Sequence, residues 1–163
     1  MRKLAARLKS EGLHARAAEL LEHQLQSRAQ DVAQGPLSIE VAELHLLAGR
    51  PARALAVLRR TADTLYPEAM TIARVRLEAI ALFQSGQQEA ALAILADQPG
   101  TSDLREELQW RRRDWTALAR TAPPADRRMT EVTQVRILRR AIAMAMVGDE
   151  AGLEVHGPLG VGA

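Results

Sequence analysis

The chain has 163 residues, of which 47% are hydrophobic, and a formal net charge of +2, which suits one globular domain or four to five stacked helical hairpins. It contains no cysteine, which excludes a disulfide framework, thiolate chemistry and a cysteine-ligated metal. No signal-like N-terminus and no apolar stretch of the roughly 20 residues that cross a bilayer is apparent, so we expect a soluble, cytoplasmic protein.

The composition favours helices over strands. Alanine accounts for 30 residues, whereas Phe, Trp and Tyr together account for four. Alanine and leucine have high helix propensity, and alanine lets neighbouring helix backbones approach closely. The aromatic and β-branched residues that enrich strands are comparatively scarce. We therefore predict an all-α protein.

A repeat of 37 residues runs through the first hundred residues. Gly12, Gly49 and Gly86 recur at this interval, and each has one alanine seven residues before it, another five residues after it, and a leucine nine residues after it. These repeat positions are Ala5, Ala17 and Leu21, then Ala42, Ala54 and Leu58, then Ala79, Ala91 and Leu95. A period of this length predicts an array of helical units that must stack to bury their apolar faces.

The first three units each read as two helices joined at the glycine. The predicted helices cover about 1–11 and 14–30, about 37–48 and 51–65, and about 67–85 and 87–96. The segment Gln34-Gly35-Pro36 is predicted to be the loop before the second unit. Pro51 suits the start of a helix, where the first amide groups have no intrahelical partner.

The last two units are less regular. We predict a helix from about 102 to 113, an N-terminal cap at Asp114 for a short helix to about 121, and a helix from about 130 to 147. Gly148 and Asp149 then restore the turn pattern. The predicted units are 1–33, 36–66, 67–98, 101–122 and 129–153, which form one domain over 1–153, followed by a flexible tail over 154–163.

This spacing of small residues around a glycine resembles the tetratricopeptide repeat, in a 37-residue form. The resemblance covers residues 1 to about 96 well and 130–153 in part. It implies antiparallel helical hairpins stacked as a right-handed solenoid, with the first helix of each hairpin lining a concave face. In that family, the residues ten, six, three and two before the turn glycine point into the groove, and we call them the groove positions.

The resemblance implies a non-catalytic scaffold or adaptor module that binds a partner helix or peptide. Aligned on Gly49, Gly86, Arg113 and Gly148, the implied groove residues are Ile39, Glu43, Leu46, Leu47, Arg76, Ile80, Phe83, Gln84, Glu107, Trp110, Arg111, Leu138, Ile142 and Met146. Leu46, Phe83 and Trp110 are expected to form an apolar line. Arg76 and Arg111 are expected to orient an acidic or amphipathic partner. The alternative is that these apolar residues are core.

No residue set predicts catalysis, a cofactor or a metal. The glycines are hairpin turns and lack the spacing of a phosphate-binding loop. The histidines do not share the one-turn spacing of helical metal ligands, and His45 is expected to be a partly exposed or capped side chain. Adjacent acids such as Glu106 and Glu107 point about 100° apart on a helix and cannot share a substrate proton. We read Trp115 as interhelical packing.

Residues 105–140 contain ten arginines and five acids. An acidic protein surface suits them better than nucleic acid, because binding sites for single strands usually interleave several aromatic residues with the basic ones. An Arg-rich nucleic-acid binder is therefore the weaker alternative, and no membrane partner is expected. Unfinished terminal hairpins also leave open a structural segment of a longer repeat protein, and a homodimer formed through one end.

Overall fold

The computed structural model describes residues 1–26, 34–62, 67–122 and 130–148. All regular secondary structure within these ranges is helical, which confirms the predicted fold class. The chain divides into two compact units, Met1–Thr101 (unit 1) and Ser102–Ala163 (unit 2). The division falls between the third and fourth predicted repeat units. The single domain over 1–153 and the solenoid stay predictions, and the predicted tail and Asp149 lie outside the described residues.

Unit 1 contains six of the described helices and unit 2 contains three. In unit 1 they are α1 (Arg2–Ser10), α2 (His14–Gln26), α3 (Gln34–Leu47), α4 (Pro51–Arg60), α5 (Glu68–Gln84) and α6 (Gln88–Ala96). In unit 2 they are α7 (Ser102–Arg112), α8 (Trp115–Ala119) and α9 (Glu131–Val147). Each helix from α1 to α5 packs against the helix that follows it, and α3 also contacts α5.

The three repeated glycines close the first helix of each hairpin in unit 1. Their φ angles are +74°, +68° and +82° for Gly12, Gly49 and Gly86, in the left-handed region that glycine adopts without a Cβ penalty. The Gly49 amide donates to the Leu46 carbonyl at 3.0 Å, and the Arg50 amide donates to the His45 carbonyl at 2.8 Å. This pair of bonds is the Schellman motif, and it recurs at the other two glycines.

All nine repeat positions are buried. The six alanines and three leucines around the turn glycines are each at most 1% exposed. Because alanine adds only a methyl group, helices can approach closely at these points, and the leucines fill the space beside them. The 37-residue spacing therefore specifies where the helices of unit 1 touch.

The predicted loop at Gln34-Gly35-Pro36 is wrong, because α3 already begins at Gln34. Proline is tolerated there since the first four amide groups of a helix have no intrahelical acceptor. Gly35 is buried, and its carbonyl accepts a hydrogen bond from the buried Ser38 hydroxyl at 2.8 Å. The helix thus starts within the segment whose composition is typical of a turn.

Unit 2 repeats the hairpin turn without glycine. Arg113 has a φ of +62°, and the Asp114 amide donates to the Gln109 carbonyl at 2.9 Å, as at the glycine turns. Asp114 caps α8 as predicted, because its carboxylate accepts from the Ala117 amide at 3.1 Å. Helices α7 and α8 each pack against α9. Trp115 packs against the hydrophobic core of unit 2, in agreement with our reading of this residue as interhelical packing.

Candidate partner-binding surfaces

The groove positions of unit 1 lie on α3 and α5, which are in contact. On α3, Ile39 and Leu46 are partly exposed, and Glu43 and Leu47 are exposed. The α5 positions have similar exposure: Arg76, Ile80 and Phe83 are partly exposed and Gln84 is exposed. Each of the eight residues keeps accessible surface, whereas the repeat positions beside them are buried. The two sets therefore occupy different faces of the same helices.

A cleft between α1 and α3 extends the same pattern to the first hairpin. Counting back from Gly12 gives Arg2, Ala6, Lys9 and Ser10, and all four line this cleft of about 700 Å³. Its wall on α3 includes Glu40, whose carboxylate lies 3.2 Å from the Lys9 ammonium. The buried side chains of Ala5, Leu21 and Leu37 also line it. Sequence reasoning missed these four residues, although the spacing already used for the later glycines would have found them.

Both arginines that were expected to orient a partner make contacts within their own unit. Arg76 donates from Nη1 to the Gly100 carbonyl at 3.2 Å. Arg111 donates to Glu107, itself a groove position, at 2.5 Å, one turn away on α7. An acidic partner would have to share these guanidinium groups with their present acceptors. Their orienting role stays a prediction.

Trp110 is half-buried and takes part in the core of unit 2. Its ring meets Trp115 edge to face, with centroids 5.2 Å apart, and the Arg139 guanidinium carbon lies 5.8 Å from the Trp110 ring centroid. Such contacts hold an indole in place from two sides. Leu46 and Phe83 belong to unit 1 and Trp110 to unit 2, so the predicted apolar line through all three stays a prediction.

Helix α9 is apolar on two sides. One side buries Ala143 and Met144 in the core of unit 2. The other side carries the predicted groove residues Leu138, Ile142 and Met146, and also Val132 and Val135; these five are between 37% and 62% exposed. We call these five residues the α9 stripe. Sequence reasoning found three of them and missed the two valines, which lie before the positions that the resemblance marks.

Charged contacts hold the helices together beside these surfaces. The Arg136 guanidinium of α9 donates to both carboxylate oxygens of Glu106 on α7, at 2.8 and 2.6 Å, and Glu106 is buried. The hydrogen bond to Glu106 raises the pKa of Arg136 above its usual range. On the surface of unit 1, the hydrogen bond from Arg50 to Glu19, at 2.7 Å, lowers the pKa of the Glu19 carboxyl.

The expected partial exposure of His45 is wrong, because its side chain is fully buried. Its Nε2 lies 3.0 Å from the Glu22 carboxylate on α2, which in turn lies 3.6 Å from the Arg53 guanidinium on α4. His45 therefore joins α3 to α2 by a polar contact inside unit 1. Its position four residues before Gly49 is on the packed side of α3 rather than at a groove position.

The described ranges contain no cluster of three His, Cys, Asp or Glu side chains arranged to hold a metal ion. Among the helices of those ranges, none combines the length and the apolar character that a bilayer span requires. Comparison with models of protein families, with curated proteins and with solved structures returns no match.

Proposed function

We propose that the chain is a non-catalytic, cytoplasmic protein-interaction module, built as a tetratricopeptide-like array of helical hairpins. A partner helix or peptide binds the face formed by the first helices α1, α3 and α5. The observation that carries this proposal is that the repeat positions and the groove positions of unit 1 lie on different faces of the same helices. The repeat positions are buried, and the groove positions of three successive first helices remain accessible, with a cleft between the first two.

The chemistry of this face favours an amphipathic partner segment with acidic side chains. Leu46, Leu47, Ile80 and Phe83 offer apolar surface, which is the main source of affinity when a helix lies in a groove. The cleft between α1 and α3 is lined by two cations, Arg2 and Lys9, and by a single carboxylate, Glu40, which is paired with Lys9. An acidic group near this end of the partner is therefore favoured over a basic one.

Substitution of Leu47 and Phe83 by alanine tests the proposal. The purified chain is used to capture proteins from an extract of the source cells, at low and at high salt. A partner that binds through apolar contacts should be retained at high salt and lost in the Leu47→Ala/Phe83→Ala variant. Because both side chains keep accessible surface, the helical circular dichroism of the variant should change little.

Leu92→Ala is the matched control, since Leu92 is a partly exposed leucine on the second helix α6. It should leave capture unchanged. Capture that survives the double substitution would contradict the proposed face. Release of nucleic acid alone by salt would favour the Arg-rich alternative, because phosphate contacts weaken steeply as salt rises. Capture of no partner at either salt concentration would favour a structural segment of a larger assembly.

A further inference from the structure

The α9 stripe is nearly symmetric about the middle of its helix. Helix α9 spans Glu131–Val147, so its centre is at position 139. Val132 and Met146 each lie seven residues from this centre, Val135 and Ile142 lie four and three residues from it, and Leu138 is next to it. Reversing the direction of the helix therefore returns almost the same apolar pattern. A surface that matches its own reverse is what a twofold, isologous contact requires.

We infer that the α9 stripe binds the α9 stripe of a second copy of this chain, with the two helices antiparallel. In this arrangement Val132 of each copy faces Met146 of the other, and Val135 faces Ile142. The two copies of Leu138 meet near the twofold axis. Antiparallel pairing also places the positive end of each helix dipole beside the negative end of the other.

Charges of both signs border the stripe. The five stripe residues are uncharged, and a depression at Val132 and Val135 is also lined by Asp103, Glu107, Glu131, Arg136 and Arg139. An apolar centre with a charged rim is the usual composition of a protein interface. Arg139 is the charged residue nearest to the axis along the chain, and its guanidinium lies against the Trp110 ring of its own unit. The arginine thus has a favourable contact that does not require the second copy.

The size of the stripe predicts a weak dimer. Five side chains with these exposures present on the order of 400 Å² per copy, which is the size of the largest apolar patch on a typical monomer, and such patches are often functional. Stable interfaces bury about 800 Å² per partner. We therefore expect dissociation constants in the micromolar range or weaker. This inference is separate from the proposed function, which concerns α1, α3 and α5 of unit 1.

Sedimentation equilibrium of the full chain tests the contact without any partner. We expect a monomer–dimer equilibrium between about 5 and 500 µM, in line with the small stripe. Leu138→Glu places two carboxylates together at the axis and should raise the dissociation constant at least about tenfold. Thr116→Glu adds the same charge at an exposed site on α8 and should leave the dimer unchanged.

A charge pair tests the antiparallel orientation. Val132→Lys and Met146→Glu should each weaken the dimer, because each puts a charge opposite an apolar side chain. The double variant Val132→Lys/Met146→Glu should recover affinity at least about tenfold over either single variant, since the new lysine faces the new glutamate at both ends. In a parallel pair, like charges would face each other, and the double variant would be the weakest of the three.

Three results would overturn the inference: a monomer over the whole concentration range, a dimer that Leu138→Glu leaves intact, or a double variant weaker than both single variants. All the substituted stripe residues are exposed, so circular dichroism should show folded variants. These outcomes are independent of partner capture by unit 1, so failure of either proposal leaves the other standing.

Discussion

Arg113 occupies the turn position that glycine fills in the other hairpins. Its φ of +62° brings its Cβ close to the backbone, a conformation that costs an L-residue roughly 1–2 kcal/mol. Glycine removes that cost but loses more chain entropy on folding, by about 0.5–1 kcal/mol. We therefore expect Arg113→Gly to stabilise unit 2 by about 0.5–1 kcal/mol, measured by urea unfolding followed through tryptophan fluorescence.

Two neighbouring substitutions test whether backbone conformation causes this gain. Arg112→Gly, one residue earlier in the helical part of α7, should destabilise by up to about 1 kcal/mol. Gly49→Ala should destabilise unit 1 by about 1 kcal/mol, because no atom within 4 Å obstructs the new Cβ and only its φ of +68° opposes it. Stabilisation by Arg112→Gly, or none by Arg113→Gly, would contradict the argument.

Single residues were predictable where backbone geometry dictates the amino acid. Left-handed turns call for glycine and helix N-termini for a side-chain acceptor, so Gly12, Gly49, Gly86, Gly148 and Asp114 could be assigned from the sequence. His45 could not, because its burial depends on a carboxylate 23 residues away on α2. Nothing local to α3 indicates that Glu22 will accept a hydrogen bond from this ring.

At the level of elements, the Arg136–Glu106 pair joins α9 to α7. The Glu106 side chain is 8% exposed, so removing its arginine leaves a carboxylate that water cannot fully solvate. We expect Arg136→Ala to destabilise unit 2 by about 2 kcal/mol or more. Arg111→Ala, which breaks an exposed pair within α7, should cost less than about 1 kcal/mol. Urea unfolding of both variants measures the difference.

A second substitution separates the effect of the unpaired charge on stability from the effect of lost packing. Adding Glu106→Gln to Arg136→Ala replaces the unpaired carboxylate by a neutral amide of similar shape. The double variant should be more stable than Arg136→Ala alone, since the unpaired charge accounts for much of the penalty. Equal stability of the two would show that Arg136 contributes through its aliphatic contacts instead.

Helices were predictable from the sequence to within a few residues because their ends have local causes. Glycine turns fixed the end of each first helix, and α5, α6 and α9 begin and end close to the predicted limits. The start of α3 was misjudged, because a proline and a glycine in a first turn look the same in sequence as those in a loop. The groove positions, in contrast, came from a family resemblance, and physics alone does not distinguish an exposed Leu47 from a buried Leu44.

For the molecule as a whole, the sequence repeat predicted the contacts inside unit 1 but not the division after Thr101. The spacing around the glycines sets which residues pack between successive helices. In unit 2 that spacing is disturbed, since Arg113 follows Gly86 after only 27 residues. The residues of either hairpin alone therefore do not indicate where the chain divides into units.

The two units should differ in stability, since most of the buried apolar residues of the described ranges belong to unit 1. Both tryptophans, Trp110 and Trp115, belong to unit 2, so their fluorescence reports that unit, whereas circular dichroism follows mainly the helices of unit 1. A smaller core gives lower stability, and we expect fluorescence to change at lower urea than the helical signal. Arg113→Gly should move the fluorescence midpoint upward and leave the main helical transition in place. Coincident transitions that shift together in this variant would instead mean that the chain unfolds as one cooperative body.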